Sequence, residues 1–312
     1  MKALALTGFE KPPSVIDVPD PVPGSGEVLV RVGAASVNAY DTFVAMGAMK
    51  DYLPYEFPAV LGGDVAGVVE SVGEGVEGFA PRARVFGMVG SKTAVHDGSF
   101  GELVTANATS LAPTPDGVDD LAAGSLGVAG TTALEAVNAV DPAAGDVVLV
   151  VGATGGVGSF AVQLAAARGA HVIASVRPGD EGFVTDLGAA ETVDYTTDLE
   201  AAILQRYPEG VAAVIDLVHR DAGEFGALTA LAREGGRAVS SVGAAGESTR
   251  IGEVAVSNAN GNPTLLAELG AMVASGTLRA PIRRTYSLDE AAKALQDFTA
   301  EHTVGKLVIV AG

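Results

Sequence analysis

The stretch 146–178, DVVLVVGATGGVGSFAVQLAAARGAHVIASVRP, constrains the fold more than any other part of the chain. Its apolar run Val147–Val151 has the length and β-branched content of a strand buried on both faces. From Val157 onward, Phe160, Ala161, Leu164 and Ala165 recur at helical spacing. A second apolar run, HVIASV, follows at the distance a strand–helix–strand unit requires. Between strand and helix stand Gly152, Gly155, Gly156 and Gly158. Glycine weakens the middle of either element, so its clustering marks a turn where the backbone bends sharply or lets another group approach.

Ala153, Gly155 and Gly158 occupy the three positions of a G-x-G-x-x-G fingerprint, with Ala in the first. Small residues there permit a tight turn, let a pyrophosphate approach the backbone and allow the helix to pack on the strand. The helix start adds unpaired amides and the positive end of its dipole. Thr154, Gly155, Gly156 and Val157 are therefore candidate cofactor-binding residues, against the alternative of a tight turn without a ligand. The end of the second strand separates two cofactors: NAD calls for an acidic residue there, a 2′-phosphate for a cation. The chain reads Ser175-Val176-Arg177, and Arg clamps phosphate bidentately. NADPH is expected over NADH, with Ser175 and Arg177 as contacts. Asp180 and Glu181 follow closely, and an Arg that only solvates its loop is the competing reading.

The chain has 312 residues, room for two domains with separate cores. Its first hundred or so residues alternate short strands with Pro and Gly breaks, a β-rich region predicted to form a barrel or partly open sheet. Residues 91–101 read as a loop before the strand ELVTAN. The stretch 121–140 is helical by composition, interrupted near 127–132. From 146 onward strands alternate with helices, which predicts a parallel sheet covered on both faces. The tail, helix–strand–helix–strand, is able to return and complete the first region.

Acidic residues outnumber basic ones 38 to 19, giving a net charge of −19. Such a field repels nucleic acid and anionic membranes, so neither is an expected partner, and it favours solubility. Arg177 would be a local exception. No apolar run approaches a membrane span, and MKALALTGFEKPP is too short and interrupted for a signal peptide; a cytoplasmic protein is expected. With no cysteine, thiolate zinc sites and disulfides are excluded. His96, His171, His219 and His302 show no metal-ligand spacing, so no metal is expected, a carboxylate site remaining open.

Several blocks, in order, resemble the zinc-free quinone oxidoreductase branch of the medium-chain dehydrogenase/reductase superfamily: PVPGSGEVLVRVGAASVNAYDTF, PAVLGGDVAGVVESVGEGVEGF, GSFGELVTANATSLAPTPDGV, GVAGTTALEAV, the glycine stretch itself and the terminal HTVGKLVIV. The resemblance implies an α/β protein with a GroES-like β-rich catalytic domain, residues 1–117 and 258–312. It also implies a Rossmann domain with a doubly wound parallel sheet, residues 118–257, a ligand cleft between domains, and commonly a homodimer. Gly62-Gly63-Asp64 matches the segment where zinc members carry Gly-His-Glu, which fits the zinc-free branch.

By the same resemblance, Asn38 of SVNAYD lies beside nicotinamide and substrate, and Thr132 of AGTTA touches the nicotinamide. Tyr195 stacks near the 2′-phosphate, and Leu217, Val242 and Gly243 belong to strand-end loops flanking the cofactor. Asn38 and Thr132 are the candidate catalytic residues. Asn38 bracing a turn and Thr132 opening a helix are the structural alternatives. Asp41 reads as an N-cap or structural carboxylate rather than a base, Lys306 as a solvated or ion-paired residue of the last strand, and His219 as a histidine at a cleft-facing strand end. Relatives often carry Tyr where this chain has Phe43, so protonation from water is the simpler expectation. Phe43, Met46, Met49, Tyr52 and Tyr55 are read two ways, as pocket lining or as ordinary packing. The expected activity is NADPH-dependent reduction of a quinone or α,β-unsaturated carbonyl compound. Two alternatives stand beside it: a tailoring or trans-acting enoyl reductase of secondary metabolism, and an NADPH-binding sensor or scaffold with little catalysis.

Overall fold

The computed structural model describes residues 1–89, 94–300 and 302–312. Residues 91–93 of the stretch expected as a loop lie outside them. The chain divides into two compact units, residues 1–128 with 263–312, and residues 129–262. These bounds fall later than the expected 117 and 257.

The first stretch of unit 1 supplies β1 (Lys2–Leu6), β2 (Ser14–Asp17), β3 (Glu27–Ser36), α1 (Ala39–Ala45), β4 (Ala59–Val60), β5 (Asp64–Val72), β6 (Arg84–Met88), β7 (Leu103–Asn107), β8 (Leu111–Pro113) and α2 (Asp120–Ala123). β3 alternates along EVLVRV, burying Val28, Val30 and Val32 while Arg31 faces out, the pattern of a half-buried strand. It pairs antiparallel with β5 and with β7. Arg84 of β6 donates to Asp120 at 2.5 Å and to the Val118 carbonyl at 2.8 Å. That bond and the packing of α2 on β3 hold residues 118–124 to unit 1, which is why this unit runs past residue 117.

Unit 2 begins within α3 (Val128–Val140), which starts through the Gly and Thr positions expected to interrupt it; the break falls earlier, at 124–127. There follow β9 (Val147–Val151), α4 (Gly156–Ala167), β10 (His171–Val176), α5 (Glu181–Thr185), β11 (Glu191–Asp194), α6 (Leu199–Arg206), β12 (Val211–Asp216), α7 (Ala222–Thr229), β13 (Ala232–Ser240), β14 (Arg250–Ile251) and β15 (Val254–Asn258). The sheet order is β11-β10-β9-β12-β13-β15-β14, parallel except for the edge strand β14. Val148, Leu149 and Val150 are fully buried, as a central strand covered on both faces must be. Burial of each contributes about 1.5–3 kcal/mol. The sequence suggests a helix through EFGALTALARE, yet α7 stops at Thr229. Ala232 pairs with Val211, and sheet pairing outweighs the helix propensity of Ala, Arg and Glu there.

The returning segment adds α8 (Leu266–Ala274), β16 (Ile282–Ser287), α9 (Ala291–Ala300) and β17 (Lys306–Val310). β17 lies between β16 and β3, completing the order β16-β17-β3-β5-β6-β8 beside a smaller sheet, β2-β1-β4. One core cluster draws on both ends of the chain, joining Val28, Val30 and Phe100 to Tyr286, Leu295 and Ile309.

Candidate active site

In unit 2 the glycine turn links β9 to α4. Gly152 has φ +81°, a conformation L side chains avoid, and an added Cβ would lie 2.7 Å from Val218 Cγ2. At Gly158 an added Cβ would collide with the Gly152 carbonyl oxygen. Both glycines are thus required by the turn itself. Gly155, the N-cap of α4, differs: a Cβ there would meet only the Gly152 oxygen, at 3.4 Å. Internal packing leaves room for a side chain at 155, where glycine serves as an N-cap. The amides of Gly156, Val157 and Gly158 open the helix without i−4 partners within it.

Thr154 and Ser175 are almost wholly buried, and Val157 is half-buried. The Gly152 amide donates to Ser175 Oγ at 3.1 Å, so this hydroxyl braces the turn. Exposed Arg177 donates from Nε to the Tyr195 hydroxyl at 2.6 Å, its guanidinium carbon 5.8 Å from the ring centroid. Glu181 accepts from the Gly179 amide, which engages one of the two nearby carboxylates. Leu217 follows β12 and Val242 and Gly243 follow β13. Because β9 to β13 run parallel, Thr154 to Val157, Arg177, Tyr195, Leu217, Val242 and Gly243 all fall at the carboxyl edge of one sheet, where open α/β sheets take ligands. Thr132 lies in α3, 6% exposed. Asp216, at the head of the strand-end segment 216–218, ends β12 fully buried. Its Oδ1 accepts from the Val218 amide and contacts His219 Nδ1 at 3.1 Å, and its Oδ2 has no partner among the described residues.

Unit 1 holds a different arrangement. Asn38 sits at the N-cap of α1, and its main-chain amide donates to Asp41 Oδ2 at 2.7 Å. The side chain turns into a buried cluster. Asn38 Oδ1 accepts from Lys306 Nζ at 2.8 Å; Asn38 Nδ2 donates to Asp64 Oδ2 at 2.8 Å and to the Ser36 carbonyl at 3.3 Å. Ammonium only donates and carboxylate only accepts, so the amide's orientation follows from its neighbours. Asp64 also accepts a short bond from Ser36 Oγ and one from the Val128 amide at 2.6 Å.

Lys306 is 2% exposed, so of the two expected alternatives it is the ion-paired one and not the solvated one. At the start of β17 its side chain projects from the sheet into the interior of unit 1, among Val37, Asn38 and Asp64. Its bonds go to Asn38 and to the Val37 carbonyl, with Asp64 Oδ2 farther away at 3.9 Å. Burial lowers its pKa, opposed by the charges of Asp64 and Asp41. Burial pushes the Asp41 carboxyl up to about 7; the Asp64 charge reinforces this, while the Asn38 and Gly63 amides and Lys306 oppose it.

A pocket of about 80 Å³ in unit 1 is lined by Tyr40, Asp41, Val44, Leu61, Gly63 and His96, among others. None of the five apolar candidates from 43 to 55 is among its described lining. Met49 and Tyr55 pack on the core, Phe43 is half-buried, and Met46 and Tyr52 are 65% and 80% exposed. Among the described residues no group of three His, Cys, Asp or Glu side chains is placed to hold a metal ion, and no helix is long and apolar enough to cross a membrane.

The alcohol dehydrogenase GroES-like domain family matches residues 24–116, and the zinc-binding dehydrogenase family matches residues 187–309. The chain is 36% identical over 196 residues to the chloroplast envelope quinone oxidoreductase homolog of Arabidopsis thaliana, covering 60% of this chain and 58% of that one. It is 32% identical over 194 residues to acryloyl-coenzyme A reductase of Metallosphaera sedula, covering 55% and 58%. In these matches the chain spans 58% of the length of each curated relative. The solved quinone oxidoreductase of Coxiella burnetii superposes with a TM-score of 0.86 at 30% identity, over 100% of this chain and 99% of that one. Two domain matches in family order, together with an end-to-end structural match, lead to one conclusion: the chain belongs to the medium-chain dehydrogenase/reductase superfamily, among its quinone oxidoreductase-like members.

Proposed function

We propose that this protein is a zinc-independent, NADPH-dependent oxidoreductase that reduces a quinone or an α,β-unsaturated carbonyl compound. The observation that carries the reading is Gly155, a glycine where internal packing leaves room for a side chain, capping a helix at the carboxyl edge of a parallel sheet. A pyrophosphate fits that place. Arg177, held by Tyr195, is suited to a 2′-phosphate in an otherwise acidic protein. The absence of cysteine and Gly63 in place of a zinc-branch histidine favour chemistry without zinc. Its quinone oxidoreductase relatives favour the substrate class.

Bound nicotinamide supplies the hydride. Asn38 keeps Oδ1 on Lys306 and one amide hydrogen on Asp64; its 3.3 Å bond to Ser36 is the weakest and is the one exchanged for a substrate carbonyl as charge grows on its oxygen. Phe43 offers no phenolic proton, so water protonates the product. Thr132 and the strand-end residues orient the cofactor. A cytoplasmic homodimer completes the proposal.

Titrating NADPH and NADH into the protein, then following NADPH consumption with 1,4-quinones and enones, tests it. Tighter NADPH binding, weakened about ten-fold by Arg177→Ala, is expected; tighter NADH binding indifferent to Arg177 would refute the cofactor. Asn38→Ala is expected to lower turnover roughly ten- to a hundred-fold at unchanged NADPH affinity. The similarity to acryloyl-coenzyme A reductase favours a second reading, an enoyl-thioester substrate, so crotonyl-thioester belongs in the panel. Tight NADPH binding with silence across the panel would leave the sensor reading.

A further inference from the structure

We propose that Lys306 is the positioning residue for Asn38: from the last strand its ammonium locks the Asn38 amide so that the N–H weakly held by the Ser36 carbonyl is the one available to a substrate carbonyl. The inference rests on the reading of Asn38 as the donor to that carbonyl. It starts from an oddity of charge placement. A buried ammonium and a buried carboxylate form an ion pair at 3.9 Å, beyond direct hydrogen-bond reach. Lys306 bonds instead to two neutral oxygens, Asn38 Oδ1 and the Val37 carbonyl. Asp64 takes the Asn38 amide nitrogen and the Ser36 hydroxyl. A neutral amide is thus inserted between opposite charges.

Burying an ammonium carries a large desolvation cost, and a well-packed apolar side chain in its place is often neutral or stabilising. Stability alone therefore does not account for Lys306. Holding an amide in one orientation does. A flipped Asn38 would put NH₂ against NH₃⁺ and oxygen against carboxylate, so both ends are fixed at once. The lock draws on β3 through Ser36, the start of α1 through Asn38, β5 through Asp64 and β17 through Lys306, all elements of unit 1. Preorganisation of this kind confines the donor's rearrangement to exchanging the Ser36 carbonyl for the substrate oxygen.

Removing one member of a buried pair leaves the other uncompensated, so the test uses Lys306→Met and also the neutral pair Lys306→Met/Asp64→Asn. NADPH affinity, thermal midpoint and turnover are measured for each, alone and combined with Asn38→Ala. The paired variant is expected to fold and bind NADPH as the parent does, with kcat about ten-fold lower or more. Adding Asn38→Ala should cost it almost nothing further, since residues acting as a unit are not additive. In the nucleotide-free protein, the Asn38 side-chain amide hydrogens should exchange with water at least about ten-fold faster in the paired variant, seen by nitrogen-15 NMR. Parent-like kcat, independent multiplication of the two losses, unchanged exchange, or a paired variant that does not fold would each overturn the lock. If Asn38→Ala itself keeps full turnover, it is the donor reading that fails; if Asn38→Ala is impaired and the paired variant is not, only the role of Lys306 fails.

Discussion

The two candidate regions, one in each unit, are built on opposite principles. In unit 2 a contiguous run of small residues removes side chains so that main chain is presented. In unit 1 residues 36, 38, 41, 64 and 306 gather charged and polar side chains in the interior and give them partners. The first arrangement tolerates no added bulk at Gly152 or Gly158. The second tolerates no lost partner. A ligand met by backbone is recognised by shape and dipole, whereas one met by Asn38 depends on an electrostatic balance set by groups it never touches.

That contrast is easiest to break at Gly158. Gly158→Val places atoms on the Gly152 carbonyl oxygen, and NADPH affinity measured by calorimetry should fall at least about a hundred-fold, near 3 kcal/mol, with a lowered thermal midpoint. Gly155→Ala sharpens it. The added methyl meets ordinary contact inside the protein, so the midpoint should stay put while affinity drops roughly ten-fold. A lowered midpoint with intact affinity would make Gly155 a structural residue like its neighbours.

The smallest expected effect probes unit 1 through pH. Asp41 has its pKa raised from 3.8 to about 7 in the folded chain, with Asp64 and Lys306 as the charges facing it. Between those values the folded protein holds a proton that the unfolded chain has released. Stability therefore falls as pH rises through this window, and below it the contribution is fully present. Asp41→Asn keeps an acceptor for the Asn38 amide but cannot ionise. Thermal midpoints followed from pH 4 to pH 8 should decline less steeply in the variant, by a few degrees overall; identical slopes would place the ionised carboxylate in the folded state throughout.

The same contrast governs how much the sequence discloses. The turn between Val151 and Val157 is legible because its strand, glycines and helix are adjacent in the chain and each obeys a local rule. The alternation of strands and helices after residue 146 is legible for the same reason. The buried cluster is not. Lys306 opens a strand in a sequence that suits a solvated residue equally well, and its partner Asn38 lies 268 positions away, beyond any periodicity. Ser175 shows the intermediate case: its place at a strand end is readable, but its bond to the Gly152 amide depends on how β9 and β10 align. The end of α7 at Thr229 needed knowledge of what Ala232 pairs with.

Strand β17 is inserted beside β3, although nearly the whole chain separates them. During synthesis, residues 27–31 can pair with β7 early, but residues 34–36 must wait for residues 308–310 before the end of the strand has its β17 neighbour. Residues 129–262 have all their sheet neighbours as soon as they emerge, so the middle of the polypeptide is positioned to fold before its beginning. A stalled or shortened nascent chain would carry an exposed apolar strand edge, an invitation to chaperones and to aggregation, while its central portion was already finished.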